Sequence, residues 1–141
     1  MLDLKHCFVA EKVPAKREFM MRQFELPVVV EDAAELSQPR SWNLQTGAPV
    51  MLEWPGIFGG GFSCKGKSKQ NNNRGNNRSC IADGQTCTGV TFEYCKRIII
   101  KMRPKAAFLE NAVEVALSYE QDGGLSTSDE EYIVRSFEED T

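Results

Sequence analysis

The eight residues Gly61-Phe62-Ser63-Cys64-Lys65-Gly66-Lys67-Ser68 satisfy the pattern G-x-x-x-x-G-K-[ST]. In a phosphate-binding loop of that pattern, backbone N–H groups and a helix N-terminus hold the phosphates while the Lys reaches their far end. The chemistry needs a strand immediately before the string and a helix immediately after it. Here the string runs into Lys69-Gln70-Asn71-Asn72-Asn73-Arg74-Gly75, which does not start a helix. No later strand candidate ends in an acid suited to holding Mg²⁺, because the run 97–102 is flanked by Lys96 and Arg103. A small enzyme or nucleotide binder acting through Lys67 and Ser68 is therefore the last of three functional readings.

The same segment reads more directly as an anion-binding loop. Lys65, Lys67, Lys69, Arg74 and Arg78 are interleaved with Gly, Ser and Asn and with no acid. Such a stretch suits a phosphate backbone, with Asn and Ser as donors and Gly permitting close approach. No aromatic residue occurs between Phe62 and Phe92 to stack on bases, so non-specific contact is expected rather than sequence reading. A solvated loop whose charges only maintain solubility is the bland counterpart. A second basic set, Arg97, Lys101 and Arg103 with Lys105, shares one face if the segment is a strand. An antiparallel neighbour carrying Glu110, Glu114 and Glu120 would then supply cross-strand ion pairs.

Cysteine and histidine chemistry is thin. Cys64, Cys80, Cys87 and Cys95 crowd together while Cys7 stands apart. The four are candidates for one or two disulfides of undecided connectivity, and a Cys64–Cys80 bridge would close the basic loop. No C-x(2–4)-C pair offers a zinc-ligand turn, so neither a metal site nor a cofactor is expected. The single histidine, His6, sits beside Cys7 on a strand candidate, where adjacent residues face opposite ways. A Cys–His nucleophile pair would need another cysteine brought to it by folding. No catalytic residue is assigned, and activity as an enzyme is the lesser expectation.

Charge is sorted by region. Residues 62–105 carry ten Lys and Arg against Asp83 and Glu93, net +8, and residues 106–141 carry ten acids against Arg135, net −9. A chain sorted this way pairs its halves internally, pairs them with another subunit, or offers the basic part to an anionic partner. At 141 residues with 41% apolar composition it suits one domain, with residues 56–83 as a long basic loop and 125–141 as an acidic terminal segment. No apolar run approaches a bilayer span, and the first residues lack the apolar core of a signal peptide. Localisation stays open, with cytoplasmic or particle-associated favoured.

The elements that must position these groups read mostly as strands. Leu2, Leu4, His6 and Phe8 alternate with polar residues, and Val28–Val30 is β-branched. Ser41–Gln45 and Val50–Trp54 flank a turn at 46–49 and suggest a hairpin. The stretch 90–103, VTFEYCKRIIIKMR, is the strongest strand signal, followed by alternating Val113, Val115, Leu117 and Tyr119. Glu31–Leu36 suggests a helical turn, and Ser128-x-x-Glu131 a capped helix start. The expected fold is an antiparallel β-sandwich or barrel with one or two short helices and a long Gly/Asn/Lys-rich loop. The alternative is α+β, with 16–26 and 128–139 helical. The leading function is then a non-enzymatic structural or assembly protein, of the virion or large-particle type, contacting other protein subunits through the basic loop and the acidic end. A non-specific nucleic-acid binder ranks second. No membrane partner and no small-molecule substrate are expected.

Overall fold

The computed structural model describes residues 4–65, 81–82, 84–111, 113–116, 119–120 and 126–139. Its element order is β1 (Val9–Ala10), α1 (Pro14–Gln23), β2 (Val29–Val30), α2 (Ala33–Leu36), β3 (Ser41–Asn43), β4 (Ala48–Val50), β5 (Ile57–Gly61), α3 (Cys87–Met102), β6 (Ala106–Glu110), β7 (Tyr119–Glu120), β8 (Ser126–Thr127) and α4 (Asp129–Glu139), with a 3-10 turn at Val113–Ala116. Among the described residues the strands form four two-stranded sheets, of which β1–β2 and β5–β6 are parallel. The fold is a mixed α+β arrangement. It overturns the expected β-sandwich or barrel.

The decisive difference lies at 90–103, which is helix and not strand. Its β-branched and aromatic residues favour a strand locally, but strand propensity spans only about 1 kcal/mol and yields to packing. The buried positions are Thr88, Gly89, Phe92, Cys95, Ile98 and Met102, spaced three or four apart as one face of a helix requires. Thr86 caps the start by accepting a hydrogen bond from Gly89 N. At the far end Arg103 turns left-handed, with φ 43°, and donates its N–H to Ile99 O before Pro104 prevents continuation. Both ends carried sequence signals that the apolar run outweighed.

The strand expected through Val113–Tyr119 is likewise not formed by its described residues 113–116. Residues 113–116 make the 3-10 turn, and among the described residues Tyr119–Glu120 pairs with β8. Of the strand expected at residues 2–8, the described residues 4–8 are not strand, and the chain pairs instead at Val9–Ala10. The hairpin does form, as antiparallel β3 and β4 around Gly47 at φ +61°. Buried Asn43 ties it to the first parallel pair: its Oδ1 accepts from Val29 N, and its Nδ2 donates to Pro27 O.

The core gathers on α3. Phe92 is fully buried and meets the rings of Phe62, Tyr132 and Phe137 edge-on, at centroid distances of 5.4, 6.3 and 6.3 Å. Phe58, Ile81 and Ile98 complete the centre, and α4 covers it with Tyr132, Ile133 and Phe137. The capping box at the start of α4 is present in both directions, Glu131 N to Ser128 Oγ and Ser128 N to Glu131 Oε2. Among the described residues no helix is long and apolar enough to cross a membrane.

Candidate functional site at the carboxyl ends of the second parallel pair

The Gly-rich segment that reads as the opening of a loop is β5. One of its glycines is dictated by its neighbours, and a second faces a carboxylate. A Cβ at Gly60 would stand 2.9 Å from the Phe58 ring and 3.2 Å from Cys95 Sγ, so α3 can lie against the strand only because that atom is missing. A Cβ at Gly61 would stand 3.3 Å from Glu110 Oε2. The last residue pair of the ladder is Gly61 with Glu110, so the two strands end level. This leaves the Glu110 carboxylate over bare backbone at the point where the chain leaves the sheet.

The chain then passes through Phe62, Ser63 and Cys64, and it is held on both sides. Asn111, the residue after β6, donates from Nδ2 to Phe62 O at 2.8 Å. Ser63 N donates to Thr91 Oγ1, one turn into α3, at 2.8 Å. Ser63 Oγ lies 3.5 Å from the sulfur of Cys87, the first residue of α3. Exposed Cys64 therefore follows the point where two parallel strands end, three residues after the Gly61 that meets Glu110 and one residue after the Ser63 that meets the first residue of the crossover helix. In parallel α/β units this end is where ligands bind, since the helix dipole and free backbone N–H groups face it.

Exposed Lys65 follows Cys64 directly, whereas Lys67, Lys69, Arg74, Arg78 and Cys80 lie outside the described residues, as does Ser68. The phosphate-loop pattern thus has its strand, but the next described helix begins only at Cys87. The second basic set is not a strand stripe. Arg97 pairs with Glu93 one turn back on α3 at 4.0 Å. Lys101 donates to the carbonyls of Ser37 and Gln38 at 3.1 and 2.6 Å. Exposed Arg103 ends the helix. Glu110 closes a strand parallel to β5, so the expected antiparallel pairing of 97–105 with 110–120 does not exist.

Cys7, Cys64, Cys87 and Cys95 are free thiols. Cys95 is buried against β5, and desolvation pushes its pKa up to about 11, so it stays protonated at neutral pH. His6 packs edge-on to Phe24 at 5.7 Å, and with Cys7 it lines a cavity of about 510 Å³ between residues 4–10 and β5. The floor of that cavity includes Leu36, Cys95 and Ile98, and its wall runs along β5 as far as Gly61. Cys64 itself does not line it. Among the described residues no three of His, Cys, Asp and Glu converge as a metal-ligand group.

No known family matches this chain, and no match was found among curated proteins or solved structures. Sequence reasoning had named Cys64 and Lys65 but missed Thr91 and Asn111, and it had given Glu110 only a structural role. The adjacency of Glu110 and Asn111, directly after an apolar strand, was the available signal.

Proposed function

We propose that the β5–α3–β6 unit is a nucleophilic centre acting on an anionic substrate of the nucleic-acid class. Cys64 is the attacking thiol, and Glu110 is the carboxyl group that gives or takes a proton on the substrate beside it. The observation carrying this reading is the level ending of β5 and β6, which sets the carboxylate against Gly61, three residues before the thiol. A nucleophile is useful only if its backbone is held still relative to its proton partner. Asn111 supports this by fixing Phe62 O from the β6 side, and Thr91 by fixing Ser63 N from the α3 side. Lys65, and in sequence Lys67, Lys69, Arg74 and Arg78, supply the charge that would gather a polyanion at the thiol.

The test uses the full chain with single- and double-stranded oligonucleotides. Binding should weaken steeply with salt, and bound oligonucleotide should protect Cys64 from iodoacetamide, read by mass spectrometry of the Cys64 peptide. Glu110→Gln should retain binding and lose any covalent adduct or turnover formed at Cys64. Alkylation of Cys64 at the same rate with and without every oligonucleotide tried would refute the reading.

A second reading keeps one observation of its own. Trp42, Met51 and Trp54 on and after the β3–β4 hairpin are 49%, 74% and 69% exposed, large apolar side chains close in sequence that another protein surface could cover. Sedimentation of the wild type against a Trp42→Ser/Trp54→Ser variant separates the two. Identical behaviour as a lone monomer removes the second reading and leaves the first intact.

A further inference from the structure

We propose that Cys87 is the resolving thiol for Cys64, so that the centre is switched off by formation of a Cys64–Cys87 disulfide under peroxide. The inference rests on the reading of Cys64 as the reactive thiol and adds its regulation.

Four observations carry it. The sulfur of Cys87 is 3.5 Å from the hydroxyl of Ser63, the residue next to Cys64. Consecutive Cα atoms are about 3.8 Å apart and a disulfide needs a Cα separation of about 4.4–6.8 Å, so the bond requires half-buried Ser63 and exposed Cys64 to turn until Cys64 takes the place of Ser63 against Cys87. Both thiols are exposed, so peroxide can reach either. The other cysteine on the same helix, Cys95, is buried and held as the neutral thiol, which removes it as a competitor. The Ser63 N to Thr91 hydrogen bond further keeps this stretch of chain against the first turns of α3.

The chemistry balances with hydrogen peroxide as the oxidant. The Cys64 thiolate attacks one peroxide oxygen, the O–O bond breaks, and Cys64 becomes a sulfenic acid while one water leaves. The Cys87 thiolate then attacks the Cys64 sulfur, the S–S bond forms, and the S–O bond breaks to release a second water. The hydrogens of both thiols leave in the two waters, and a dithiol reductant reverses the step.

The full chain is treated with peroxide, digested without reduction and mapped by mass spectrometry. The expected product is a Cys64–Cys87 cross-linked peptide pair lacking two hydrogens, formed within one chain and reversed by dithiothreitol. In Cys87→Ser, Cys64 should instead be trapped as the sulfenic acid by dimedone. Pairing of Cys64 with Cys7, Cys80 or a second chain, or an unchanged disulfide yield in Cys87→Ser, overturns the proposal. The two readings fail separately. A Cys64–Cys87 bond in a protein whose Cys64 no oligonucleotide protects leaves the redox pair standing and removes the nucleic-acid reading. Oligonucleotide protection without the bond does the reverse.

Discussion

Replacing Gly60 by Ala tests whether α3 lies on β5 as described, with Gly59→Ala as its built-in comparison. Both glycines are in the same strand, and neither has a positive φ. At Gly59 an added methyl meets nothing within 4 Å, so the change only reduces the freedom of the unfolded chain and should stabilise by about 0.4–1 kcal/mol. At Gly60 the methyl would stand 2.9 Å from the Phe58 ring and 3.2 Å from Cys95 Sγ. Both partners are buried, at 6% and 5% exposure, so the sheet–helix spacing must give, and overpacking of this kind costs about 1–3 kcal/mol. The two neighbours should therefore differ by roughly 2–3 kcal/mol in opposite directions. In urea, with a slope of about 1–3 kcal/mol/M, that separates their unfolding midpoints by about 0.7–3 M. Cys95→Ala combined with Gly60→Ala should recover part of the loss, because one of the two obstructing groups is gone. Equal midpoints for the two single variants would show that the helix does not rest on Gly60, and the placement of Cys64 at the start of α3 would fall with it.

Further outcomes follow from the same contacts. Phe92→Ala removes the ring at the centre of the core and should cost about 3–5 kcal/mol in the same denaturation assay. Thr91→Val keeps the shape but leaves Ser63 N without its acceptor; a loss of about 1–3 kcal/mol, together with altered alkylation kinetics at Cys64, is expected. Cys95 ionises in the unfolded chain near its ordinary value of 9.0 but in the folded chain only near about 11. Its contribution is complete below pH 9 and disappears as pH rises towards 11, with a slope of about 1.4 kcal/mol per pH unit that Cys95→Ala should lack relative to wild type. Asp32 is held below the ordinary carboxylate value first by the N–H of Ala34 and also by Lys12, so its contribution is present above pH 3.8 and is lost as pH falls through its lower folded value. Asp32→Asn should preserve the α2 cap and remove that acid dependence, whereas Asp32→Ala should cost about 0.5–1 kcal/mol at neutral pH.

Sequence alone determined what neighbours in the chain can decide. Ser128 and Glu131 specify the start of α4 because each needs only a backbone N–H three residues away. Thr46-Gly47 turns the β3–β4 hairpin because glycine alone takes φ +61° there at no cost. The helical turn at 33–36 and the sorting of charge were equally legible. Tertiary structure decided the rest. The segment 90–103 has strand-like residues, and only burial of Phe92, Cys95 and Ile98 along one face, summed over sixteen residues, makes it α3. The pairing of 57–61 with 106–110 is parallel, so no turn sequence announces it and its register rests on packing through the intervening helix. That pairing brings Glu110 to Gly61 and Asn111 to Phe62, a contact spanning 49 residues. A carboxylate and an amide that are unremarkable in the sequence come to lie against Gly61 and Phe62 because two strands end level.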